Sequence, residues 1–89
     1  MSVYLLTYDL IHKPEKDYEP VWKYIKSHPW AKLSESSYAI ETNANPDQIW
    51  SQVRPLIHAN DNFLIISLRR PWNGQNSKEV IDWLQAKLV

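Results

Sequence analysis

The sequence predicts an α+β domain whose elements run β-α-β-β-α-β, followed by one more helix. Three observations predict it. Short runs rich in β-branched and aromatic residues stand at 3–10, 30–33, 37–42 and 63–68. Apolar residues recur at helical spacing from Tyr18, from Ile49 and from Val80. Clusters of Pro, Asn and Asp punctuate the chain between these runs.

The first strand, 3–10, has two unlike faces. Tyr4, Leu6, Tyr8 and Leu10 should face a core, while Val3, Leu5, Thr7 and Asp9 point the other way and end in a carboxylate. His12 to Lys16 read as a loop. Asp17 stands at an N-cap position, and Pro20 falls in the first helical turn, where its missing N–H is tolerated. Tyr18, Val21, Trp22 and Ile25 then follow i, i+3, i+4, i+7 spacing, and Pro29 stops the helix. Next come a short strand at 30–33, a turn at Ser34-Glu35 and a longer strand at 37–42. Asn45 and Gln48 fit a capping box with Pro46 at the first helical position. The helix they open carries Ile49, Val53, Leu56 and Ile57 on one side, and Pro55 should kink or shorten it.

Asn60-Asp61-Asn62 read as a turn. The run 63–68 is almost wholly apolar and is expected to be buried on both faces. Arg69 to Gln75 form a loop, Asn76 and Glu79 a second capping box, and Val80, Trp83, Leu84 and Leu88 the stripe of a helix over 77–88. This order is the split βαβ, ferredoxin-like plan: an antiparallel four-stranded sheet with two helices on one face. The first and last strands are expected at its centre. The extra helix and a second copy of the chain are expected to cover what the open sheet leaves bare.

Composition narrows the function. The 89 residues suit one domain with a thin core. Ten basic and ten acidic side chains cancel, which argues against a polycation that coats nucleic acid or an anionic membrane by charge alone. With no cysteine there is no disulfide, thiolate metal site or Cys nucleophile, and with one glycine no Gly-rich phosphate loop. Five Trp and five Tyr supply buried area to a small core, or mark a dimer interface. No run is long and apolar enough to span a bilayer, and the Met-Ser-Val-Tyr start does not look like a secretory signal, so a cytoplasmic protein is expected.

Asp9 is the first candidate functional residue. An Asp at a strand end either caps the following turn or presents a carboxylate for chemistry. One carboxylate holds Mg²⁺ poorly, but a two-fold dimer can supply a pair. His12 lies three residues further on, either a base or phosphate contact or an exposed loop imidazole. Arg69 and Arg70, beside Trp72, can grip a phosphate and stack on a base, or can blunt an exposed strand end. His28 and His58 sit near helix ends, where a capping role suffices. Glu35 and Glu41 could join Asp9 only through the fold. Trp22 and Trp83 match core stripes, whereas Trp50 lies off its stripe and points to a contact surface.

The strand ending in Tyr8-Asp9-Leu10, the segment Ser36-Ser37-Tyr38-Ala39-Ile40-Glu41, and the strand 63–68 ending at Arg69 come in an order that resembles the CRISPR-associated protein two (Cas-two) family, over residues 3–70. The resemblance implies a small ferredoxin-like homodimer. It puts Asp9 opposite its two-fold mate, holding Mg²⁺ for phosphodiester cleavage in RNA or DNA. Other members of that family are non-catalytic dimers, and relatives serve defence or toxin–antitoxin systems. The first helix here mixes Lys23 and Lys26 with Glu19 where the family often has arginines, and a helix follows Trp72 where many members end in a strand. The expectation is therefore a non-catalytic homodimer that binds protein or nucleic acid, with Trp50 and Trp72 at the contact surface. The alternative is a Mg²⁺-dependent endonuclease using paired Asp9 carboxylates, with His12, Arg69 and Arg70 on the substrate.

Overall fold

The computed structural model describes residues 1–11 and 18–89. The expected Asp17 cap and the candidate His12 lie outside these residues. The elements are β1 (Ser2–Asp9), α1 (Glu19–Lys26), β2 (Trp30–Ser34), β3 (Ser37–Thr42), α2 (Pro46–Val53), β4 (Asn62–Leu68) and α3 (Lys78–Lys87). They form an α+β unit with a four-stranded sheet in the order β2-β3-β1-β4, each neighbouring pair antiparallel. β1 is central, as expected. β4 is not: β3 takes the second central place and β4 is an edge.

Local chemistry sets the boundaries. Pro20 sits in the first turn of α1, which closes at Ser27 before Pro29 can disrupt it. His28 Nδ1 lies 2.9 Å from the Tyr24 carbonyl, which can only accept, so the imidazole caps the helix end. α2 opens on the expected capping box: the Asn45 side chain accepts from the Gln48 N–H at 2.8 Å, and the Gln48 side chain accepts from the Asn45 N–H at 2.8 Å. Pro55 ends α2 as expected, and the chain tightens into a 3₁₀ turn at Arg54–Leu56. The α3 cap falls one residue later than expected. Ser77 accepts from the Val80 N–H, while Asn76 instead donates to the Leu33 carbonyl at 3.1 Å and so ties the α3 entry to β2.

The two faces of β1 divide the core. Tyr4, Leu6, Tyr8 and Leu10 pack with Val21 and Ile25 of α1 and Ile49 and Val53 of α2, so both helices lie on one face. Full burial of such side chains stabilises by about 1.5–3 kcal/mol each. On the other face α3 lays Val80, Leu84 and Leu88 over Val3 and Ala39, with Leu33, Leu68, Trp72 and Trp83 at the margin.

α3 covers only the Val3 end. The rest of that face is built by Leu5 and Thr7 of β1, Ser37 of β3, and Leu64 and Ile66 of β4, which stand opposite Thr7 and Leu5. Leu64 is 61% exposed and Ile66 46%. The expectation that 63–68 is buried on both faces is thus corrected. Phe63 and Ile65 face the main core, but as an edge strand beyond the reach of α3, β4 leaves its alternate residues in solvent.

Candidate functional site

Asp9 closes β1 on the face away from α1 and α2, opposite Asn62 of β4, and is exposed. It lines a hollow of about 590 Å³ with Tyr8, Leu10, Tyr18, Trp22, Glu35 and Ser36. The fold therefore brings Glu35, from the β2–β3 turn, to the same hollow as Asp9. Glu41 is not brought there. It is paired with Lys87 of α3 at 3.1 Å.

Tyr8 is the buried element of this hollow, only 6% exposed. Its ring is stacked between Tyr38 at 6.5 Å and Phe63 at 5.6 Å. Burial pushes its phenol above the usual tyrosine range, and the nearby Trp22 indole opposes that shift. The phenol and the indole do not meet in hydrogen-bonding geometry, so among the described residues Tyr8 Oη and Trp22 Nε1 are both buried without a partner. Sequence reading places Tyr8 in the core but gives no sign of this orphaned pair, because it depends on where α1 crosses the strand.

Magnesium takes six oxygens and is commonly held by one or two carboxylates plus water or phosphate. Asp9 offers one carboxylate. Glu35 is turned to Lys32 at 3.5 Å. Among the described residues no three His, Asp or Glu side chains gather. The described residues of one chain therefore do not by themselves fit a magnesium centre.

The other candidates are scattered. Arg70 is committed to the end of α3: Nε donates to the Leu88 carbonyl at 3.1 Å, and one terminal nitrogen donates to the Gln85 carbonyl at 2.9 Å and to Gln85 Oε1 at 3.1 Å. It completes the open carbonyls of a helix C-terminus, where a cation is favoured. Arg69 is exposed in a surface hollow beside Met1, Ser67, Lys87 and Val89, at the opposite end of β1 from Asp9. Trp72 is half-buried among the residues packed under α3. Trp50 is 39% exposed on α2, its ring 6.3 Å from Phe63 of β4. His58 has its backbone N–H held by Asp61 at 2.9 Å.

The residues that sequence reading missed are Leu64 and Ile66. Their run is apolar but for Ser67, so its composition does not say which residues face the core. Compared with protein-family models, with curated proteins and with solved structures, the chain finds no significant match in any of the three. No helix among the described residues is long and apolar enough to cross a membrane.

Proposed function

We propose that this chain is a ferredoxin-like, Cas-two-like homodimeric interaction module that recognises a partner without catalysing a reaction. The observation that carries this reading is the row of apolar side chains left on the sheet: Leu64 and Ile66, exposed beside Leu5 on the half-face that α3 does not reach. Exposed apolar clusters of this kind mark contact surfaces. An antiparallel four-stranded sheet with β1 central and α1 and α2 on one face supports that assignment.

A protein partner is favoured over the phosphate backbone of a nucleic acid. Lys23, Lys32, Lys78 and Lys87 are each paired with a carboxylate, and the formal net charge is zero. The endonuclease alternative draws on one observation: Asp9 shares its face with Leu5 and Leu64, so copies stacked face to face would approach near it. This reading takes its second carboxylate from the other copy.

Light scattering at micromolar concentration, together with cleavage assays on labelled RNA and DNA in Mg²⁺ and Mn²⁺, tests the proposal. A dimer without metal-dependent cleavage is expected. A monomer overturns the reading, and cleavage abolished by Asp9→Asn replaces it with the nuclease.

A further inference from the structure

The two edges of the sheet are unlike. β2 is protected: it carries Lys32, its pairing with β3 slips between Lys32 and Ser34, and Asn76 of the α3 entry caps its Leu33 carbonyl. Charge, irregularity and a covering element are the usual guards against edge-to-edge pairing. β4 has none of these. Its seven residues, Asn-Phe-Leu-Ile-Ile-Ser-Leu, include no charge and no proline, its pairing with β1 is unbroken over the whole strand, and no described residue pairs with its outer side.

The helix layer beside β4 has a matching feature. Asp47 and Trp50 of α2 and Arg54, its C-cap with helical dihedrals, stand at i, i+3 and i+7, within about 60° of one another around the helix axis. Gln52 faces the other way, accepting a hydrogen bond from Tyr24 of α1 at 2.8 Å. Trp50 packs on Phe63, so the stripe lies on the β4 side of α2. It reads acid, indole, base. Rotated by two-fold symmetry about a point near Trp50, such a stripe meets itself with opposite charges facing.

We propose that two copies of this chain join through β4, strand against antiparallel strand, with Trp50 against its mate and Asp47 of each copy facing Arg54 of the other. This rests on the homodimer reading above and specifies its interface, but departs from the Cas-two-like placement of Asp9 opposite its mate. Antiparallel pairing of identical strands has its two-fold axis perpendicular to the sheet. That axis keeps both helix layers on one side and makes the two α2 helices run in opposite directions. A stable interface buries at least about 1,000 Å² in total. The strand seam alone is narrow, but Trp50 widens it on the helix side and Leu64 and Ile66 on the other.

This geometry bears on Asp9. β1 lies one strand in from the seam, so the two β1 strands stand three strand spacings apart, about 14 Å. Two Mg–O bonds span about 4 Å and two Asp side chains add at most about 7 Å, and those side chains stand out of the sheet rather than across it. The β4 dimer and a metal shared by two Asp9 carboxylates exclude one another at any register of the seam.

Reciprocal charge exchange tests the proposal. By light scattering, Asp47→Arg alone and Arg54→Asp alone should each weaken the dimer about tenfold or more, the combined exchange should restore it, and Leu64→Lys should also weaken it. All three residues are exposed, and circular dichroism checks that each variant is folded. The chain has no cysteine, so Asp9→Cys gives a clean proximity readout: a disulfide needs Cα atoms about 4.4–6.8 Å apart, and none should form. A dimer indifferent to all of the α2 and β4 changes overturns this interface but leaves the homodimer. A cross-linked Asp9→Cys dimer overturns it in favour of face-to-face stacking. A monomeric wild type overturns both proposals.

Discussion

Asp9 and Asn62 stand opposite each other where β1 meets β4, which places the carboxylate at the tip of a central strand, one strand in from the exposed edge. There it lines a hollow but is exposed, and no cluster of ligating side chains forms around it among the described residues. Asp9→Asn removes a charge without breaking a core contact. We expect its stability by urea denaturation to stay within about 0.5 kcal/mol of wild type. A larger loss would show that Asp9 anchors a local turn.

Arg70 is expected to matter for a different reason from the one its sequence neighbourhood suggests. Its guanidinium holds the carbonyls of Leu88 and Gln85, and its backbone N–H donates to the Val89 carbonyl at 2.7 Å. Arg70→Ala leaves those carbonyls to water and loosens α3 from the sheet. Charge-assisted hydrogen bonds at such a half-exposed site are worth about 1–2 kcal/mol together. Unfolding should shift by that amount, with a change in the fluorescence of Trp72, packed against α3, and of Trp83 on it. Arg70→Lys should recover little, since a single ammonium cannot span the same acceptors. Full recovery by lysine would argue that only the charge counts.

The capping box of α2 gives a direct stability test. Asn45→Ala loses the bond to the Gln48 N–H and, with it, the reciprocal pairing. The expected cost is about 1 kcal/mol. Because α2 supplies Ile49 and Val53 to the core, the loss should appear in global unfolding rather than as fraying alone. Asn45→Asp, which keeps the acceptor, should retain most of the stability. An alanine variant as stable as wild type would mean that Pro46 alone sets the start of the helix.

Much of this architecture was legible because single residues dictate it. Asn45, Gln48 and Pro46 mark the start of α2, Pro55 marks its end, and alternation along β1 sorts its two faces. The edge position of β4 was not legible, since Phe63 to Leu68 is apolar but for Ser67 and carries no signal of which face is covered. The α3 cap was off by one because Asn76 and Ser77 are both good caps, and the tie from Asn76 to Leu33 is a tertiary contact. Asp9 was legible as a strand-end carboxylate, and Trp50 as an off-stripe indole. The hollow shared by Tyr8, Trp22 and Glu35 was not, for it joins three elements distant in sequence.

Tyr8 predicts an alkaline limit to stability. Its phenol is buried without a hydrogen-bond partner among the described residues, and burial raises its pKa above the ordinary value of 10.0. Tyr24, half-buried, is shifted in the same direction for the same reason. In the unfolded chain both ionise near pH 10, while in the folded chain they hold their protons to higher pH. Above that point the unfolded state binds fewer protons than the native one, so stability falls as pH rises. Below it these groups leave stability flat. Tyr8→Phe keeps the stack with Tyr38 and Phe63 and deletes the orphaned hydroxyl. It should match or exceed wild type by up to about 1 kcal/mol at neutral pH and lose less stability between pH 9 and 11 (roughly one unit either side of the free phenol). Denaturation midpoints across that range read both effects. A Tyr8→Phe variant clearly less stable than wild type at pH 7 would mean that the hydroxyl has a partner and the hollow is not what orphans it.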